Sequence, residues 1–318
     1  MVFYSILSSE ADGHLNREFA QRPPAYFIDL NLDKIIDAIT AGHEPDDIKP
    51  FFYTPLKYLE DIYYRQDIMQ DVAKSDLYQA LVEYTAGIKR SVQLVAKPEN
   101  RYYHFQQQRW ALEGMLLYCQ QVTTLSDTLE KAALSSCGMM NFKHYLAQYT
   151  AGAAFTDLYA AAKTIKNKLD HIQYSLNING DTIVVAHYEQ QPNYSDEIIN
   201  VFEKFKQRDV TTDLAFRRRD GMMNHIEAQI LDCVARLFPA EFTELDSFIE
   251  NNRGYHDPAL DKFAHEIQFY LAVVEYIKKF QQSGLPFCIP EILTHNKDIS
   301  AGGAFDLALA ATVLQRLC

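Results

Sequence analysis

Cysteine is scarce and scattered in this 318-residue chain: Cys119, Cys137, Cys233, Cys288 and Cys318, with no CxxC and no paired spacing. That pattern excludes a disulfide framework and gives no zinc signature. Glycine (12) and proline (11) are also sparse, and no proline falls between Pro98 and Pro192. An interior proline removes a backbone bond and clashes with the preceding turn, so its absence there predicts long uninterrupted helices. Basic charge is in deficit, 30 Lys+Arg against 42 Asp+Glu for a net charge of -12. This argues against indiscriminate nucleic-acid binding, although an acidic body can still carry a local basic face. The longest stretches without a charged side chain, Gly114–Ser126 and His144–Thr156, are 13 residues each. A spanning helix needs about 18–20 apolar residues, so no membrane segment is expected. Met1–Leu7 has no basic stretch ahead of its apolar run, so no secretory signal is read and a reduced, cytoplasmic setting is expected.

Catalytic signatures are missing as well. No Gly-Lys pair exists, so the GxxxxGK[ST] loop that cradles phosphates is absent. There is no GxSxG nucleophile elbow. His265-Glu266 lacks the second histidine of a zinc-protease helix, and Asp46-Asp47 lacks the further carboxylate of a magnesium-diphosphate motif. His256-Asp257 is half of a metal-binding pair, but Asp257-Pro258 is accounted for as a helix cap. The chain is therefore expected to be no enzyme by itself, with no cofactor and no metal of its own.

What remains is an ordinary globular composition, 48% apolar and 23% charged. The spacing predicts a mainly α fold: an elongated multi-helix core, two long lever helices and a small hairpin-bearing insertion at their tip. Leu56, Leu59, Tyr63, Met69 and Val72 follow Thr54-Pro55, read as a cap and first helical position. One lever runs from about Asn100 to Ala133 and the other from about Asn141 to Asp170, each on the order of 45–50 Å at 1.5 Å per residue. Tyr174–Ile178 and Thr182–Val185 are β-prone runs joined at Asn179-Gly180, a strong hairpin signal. A short helix capped by Ser195 and ending at Lys204 and Lys206 follows. Asp257-Pro258 opens a further helix that Gly284 closes. The expected organisation is an N-terminal segment (1–50), a discontinuous core with levers (51–170 and 221–318) and a clamp-like insertion (171–220). The apolar segment Phe305–Leu317 ends without a cap, so the chain is expected to continue in a longer protein.

Against the acidic whole, the stretch from Lys163 to Arg219 holds nine basic residues and eight acidic ones. The basic ones are Lys163, Lys166, Lys168, Lys204, Lys206, Arg208, Arg217, Arg218 and Arg219. Charge alone favours solvated helix ends offsetting the dipole. The functional alternative is a tip touching the DNA backbone, where each phosphate contact releases counterions.

FFYTPLKYLEDIYYRQDIMQDV (51–72), AEFTELDSFIENN (240–252), DKFAHEIQFYLAVVEYI (261–277), GLPFCIPEI (284–292) and FDLALA (305–310) occur in one order. Together they resemble the helical core and lever region of MutS-family DNA mismatch-repair proteins, from about Asp29 to the end of the chain. The resemblance implies levers that couple a clamp touching double-stranded DNA to an ABC-type ATPase domain following the core. ATP and magnesium would belong to that domain, absent from this chain, as would most of a homodimer interface. The first 28 residues are too few for a mismatch-reading domain, so the implied activity is DNA binding rather than mismatch reading. A helical protein–protein scaffold with no affinity for nucleic acid is the competing expectation.

Overall fold

The computed structural model describes residues 3–9, 19–42, 45–95, 103–180, 182–190, 223–296 and 298–317. Among them the chain is mainly α, with twelve helices and one two-stranded antiparallel sheet. In order, these are α1 (Tyr26–Asp29), α2 (Leu32–Thr40), α3 (Pro45–Tyr53), α4 (Leu59–Val72), α5 (Ser75–Val95) and α6 (His104–Lys131). Then come α7 (Cys137–Ala151), α8 (Ala153–Asp170), β1 (Tyr174–Asn179), β2 (Thr182–His187), α9 (His225–Leu237), α10 (Pro239–Asn251), α11 (Pro258–Gln281) and α12 (Leu307–Leu317). The chain divides into two compact units. The first comprises Met1–Val92, Leu117–Asp157 and Gly254–Cys318, and the second Gln93–Leu116 and Leu158–Arg253.

Within the first unit, α11 is the central helix. Leu260, Phe263, Ile267, Tyr270, Leu271 and Val274 recur at helical spacing and are all buried, with α2, α3 and α4 against it. Its start is fixed locally: Asp257 accepts hydrogen bonds from the amides of Ala259 and Leu260, and Pro258 follows at the first helical position. Gly284, at φ 84°, supplies the left-handed residue just past the helix. The Phe142 ring stacks on Phe263 with centroids 3.4 Å apart, and Phe3 meets both edge-on. Phe3, Ile6 and Leu7 are buried in this core.

The second end of α4 is tied to the turn before α7 by one carboxylate. Asp71 accepts from the amides of Ser135 and Ser136 (3.0 and 2.8 Å), from the Ser135 hydroxyl and from Lys74 Nζ at 2.6 Å. Burial alone would raise its pKa, but the Lys74 and Ser136 side chains and the two amides outweigh burial and hold it at about 2. Ser136 in turn caps α7 by accepting from the Met139 amide.

Within the second unit, β1 and β2 pair in the register Tyr174↔His187 through Asn179↔Thr182, and Gly180 at φ 58° makes the turn. α9 begins in a capping box: Asn224 and Glu227 each accept from the other's backbone amide. Pro239 opens α10, whose Phe242 packs edge-on against Phe105 at 4.8 Å.

Local structure departs from expectation in two places. The helix foreseen from Asn141 to Asp170 starts at Cys137 and is interrupted at Gly152, where ψ of 144° leaves the helical region before α8 resumes at Ala153. Thr54-Pro55 opens no helix; α3 already spans Pro45–Tyr53, with Pro50 inside it, and α4 begins only at Leu59. The short helix foreseen after Ser195 lies outside the described residues.

Candidate functional site

Of the nine basic residues singled out, Lys204, Lys206, Arg208, Arg217, Arg218 and Arg219 lie outside the described residues. Lys163, Lys166 and Lys168 share the last turns of α8, in the second unit, and each already has an internal partner. Lys163 Nζ lies 3.6 Å from the centroid of the Tyr159 ring. Lys166 pairs with Asp170 one turn on, and Lys168 reaches Glu244 of α10 at 2.6 Å. Exposed pairs of this kind contribute only about 0–1 kcal/mol each and are screened by salt. They could give way to a phosphate oxygen at small cost.

Beside these lysines the second unit holds a groove of about 600 Å³. Its floor is apolar, with Leu112, Leu169, Ile230, Val234 and Phe242 among its lining side chains. Charge is confined to Arg109, Glu113, Lys166, Asp170 and Glu227, and Arg109 bonds to Glu113 at 2.9 Å. A cavity of this size suits a ligand or an inserted side chain. It carries no convergent set of acid, base and nucleophile.

The first unit contains a polar cluster whose long-range partners no sequence pattern foretold. Ser91 Oγ stands 3.3 Å from His256 Nε2, and His256 Nδ1 stands 2.8 Å from Asp261 Oδ1. The connectivity is that of a nucleophile, base and orienting acid. Reactivity does not follow. Ser91 sits inside α5 with no exposure, and its hydroxyl also bonds Tyr255 at 2.9 Å. A hydroxyl sealed in a helix interior offers an acyl group no approach, so the cluster joins α5 to the start of α11. Tyrosines extend it: Tyr118 accepts from the Asp257 amide and bonds Tyr149, and Tyr145 donates to the Asp257 carboxylate at 2.8 Å. Burial raises the pKa of all three, and a hydrogen bond from Tyr145 to Asp257 adds to the effect at that residue. The one advance signal was His256-Asp257, whose aspartate is indeed a cap; the Asp261 partner one turn on needed the helix to bring it round.

Among the described residues no group of three or more His, Cys, Asp or Glu is placed to hold a metal ion, and no helix is long and apolar enough to cross a membrane. No protein-family model matches the chain, and no curated protein or solved structure matches it either.

Proposed function

We propose that this chain is the non-catalytic core and lever module of a MutS-like DNA-binding ATPase. In this reading the basic tip, from Lys163 to Arg219, touches the backbone of double-stranded DNA. The helical core passes that event to a nucleotide-hydrolysing domain outside the sequence, where ATP and magnesium bind and where two copies of the full protein meet in the cytoplasm. The observation that carries the reading is the way the chain is divided. The second unit is built from two separate stretches, 93–116 and 158–253, so the chain enters and leaves it twice, and it contains both the hairpin and the lysine-bearing end of α8. A unit visited twice by largely helical chain is the organisation that levers with a tip insertion require.

The test is duplex binding at low salt, with labelled DNA and the full chain. Reversing Arg217, Arg218 and Arg219 to glutamate is expected to weaken binding and to flatten its dependence on log salt by about 0.9 per lost phosphate contact, about 2.7 for three. Unchanged affinity and slope would refute the tip. A scaffold without nucleic-acid affinity is the second reading, favoured by the exposed apolar side chains of the hairpin: Leu176, Ile178, Ile183 and Val184. Absence of any salt-sensitive binding to duplex would favour it.

A further inference from the structure

Residues 3–9 occupy the core of the first unit without belonging to any helix or strand. The segment reads Phe-Tyr-Ser-Ile-Leu-Ser-Ser, with no charge. Among the described residues, its backbone makes no hydrogen bond to other backbone. Side chains read it instead. From α4, Tyr64 donates to the Ser5 carbonyl at 2.7 Å, Arg65 donates to the Leu7 carbonyl at 2.8 Å, and Asp61 accepts from the Ser9 amide at 3.4 Å. From α11, Glu266 accepts from the Ile6 amide and the Ser5 hydroxyl at 2.9 Å, and Tyr270 donates to the Ile6 carbonyl at 2.5 Å. The Leu7 amide turns back onto Ser5 Oγ.

Helical spacing sets this up. Asp61, Tyr64 and Arg65 lie three and four apart on α4, and Glu266 and Tyr270 lie four apart on α11, so each set falls on one face. Phe3 meets Phe263 of α11 and Phe142 and Tyr145 of α7, while Ile6 and Leu7 are fully buried. Buried backbone must find partners. Here they come from tyrosine, arginine and carboxylate side chains aimed at consecutive peptide groups, as in a groove that receives an extended peptide.

We propose that the cleft between α4 and α11 is a peptide-recognition site, filled in this structure by the chain's own residues 3–9 and able to receive the same segment from a second copy. Apart from the Leu7 amide's bond to Ser5 Oγ and the packing of Phe3 on α7, the segment's contacts are to the two helix faces rather than to a sheet or helix it belongs to, so the same bonds form when it arrives from another molecule. Its lack of charge sets up no repulsion between copies. Exchange of an identical element is a low-cost route to a dimer.

The experiment uses the full chain carrying Ile6→Lys and Leu7→Lys. Two ammonium groups cannot be buried where these side chains sit, so the resident segment is expelled and the cleft opens. A fluorescent peptide of residues 1–9 should then bind saturably, one per chain. It should bind the wild-type chain at least about 100-fold more weakly, because the tethered segment competes at an effective concentration on the order of millimolar. The same peptide with Ile6→Lys should not bind. In sedimentation, wild type should show a dimer fraction that grows with concentration and is lost in the double variant. A variant that keeps wild-type far-UV circular dichroism yet binds no peptide overturns the cleft, and a wild-type chain that stays monomeric up to about 200 μM overturns the second copy as occupant. If the variant does not fold, amide hydrogen exchange of wild type decides. The Ile6 and Leu7 amides should exchange at least about tenfold faster than that of Ile267, reporting opening short of global unfolding. Equal rates would make the segment an inseparable part of the core.

Discussion

Replacing Asp71 by asparagine tests the account of the first unit most directly, because the substitution keeps the shape and removes only the charge and half the acceptor capacity. In wild type the carboxylate receives four donors: two amides, a hydroxyl and an ammonium. Asparagine has one carbonyl oxygen and turns a donating amino group toward at least one of those donors. A buried donor left unsatisfied costs about 1–3 kcal/mol, and bonds to a charged acceptor are stronger than neutral ones. The linkage argument gives a similar figure. The fold holds the carboxyl at about 2, against about 3.9 in an unfolded chain, and that gap corresponds to roughly 2.6 kcal/mol. Together these predict a loss of about 2–4 kcal/mol at pH 7, or a urea midpoint lowered by about 1 M for a slope of about 2–3 kcal/mol/M. The pH dependence distinguishes this cause from general damage. A depressed carboxyl pKa contributes stability in full above about pH 4 and loses it as pH falls through about 2. The gap between wild type and Asp71→Asn in urea unfolding, followed by far-UV circular dichroism, should therefore narrow by roughly 2 kcal/mol between pH 5 and 2. A gap below 0.5 kcal/mol at pH 7 (on the order of an ordinary surface change), or one that stays constant with pH, would refute the reasoning.

Three further outcomes are expected. Gly138→Ala should destabilise by about 1–3 kcal/mol in the same urea assay, since the added methyl would come within 2.6 Å of Ile68 Cδ1 and of the Tyr64 hydroxyl, displacing a fully buried side chain and the donor to Ser5. Glu266→Gln should change the pH profile in the opposite sense to Asp71: burial holds the Glu266 carboxyl above the ordinary range against the Ile6 amide, Lys262 and Ser5, so wild type loses stability as pH rises from about 4.3 through that raised value. The glutamine variant should be flat over that window, and an unaltered slope would count against a buried, strained carboxylate. Ser91 should resist fluorophosphonate labelling, and Ser91→Ala should cost about 1–2 kcal/mol through its lost bonds to Tyr255 and His256. Covalent modification of Ser91 would overturn the structural role assigned to it.

The readable parts of this sequence were those whose cause is local. Asp257-Pro258, Gly284 and Asn179-Gly180 each mark an element boundary through backbone chemistry contained in a few residues, and all three fall where they were expected. The mainly α class followed from periodicity. Gly152 was missed because the alanines around it are strong helix formers and a single glycine is tolerated in a helix; what interrupts the helix there is not written in its neighbours. Thr54-Pro55 has the pattern of a cap, yet Thr54 Oγ1 instead accepts from the amide of Ala20, a partner no window of sequence would bring near. Asp71, Glu266 and the Ser91 cluster depend on partners 64, 260 and 165 positions away. Their role is invisible until the chain has folded. The basic residues were legible as a charge asymmetry, but the pairing of Lys168 with Glu244 was not, because it joins two helices.

The bond from Ile6 to Glu266 spans 260 residues, and this has a consequence for biosynthesis. At about 5–20 residues per second, translation leaves roughly 13–50 s between the emergence of the first partner and the second. During that interval Phe3, Ile6 and Leu7 have no cleft to enter and stand as a sticky apolar tag on the nascent polypeptide. A segment made 260 positions ahead of its partner is thus among the last to find its place.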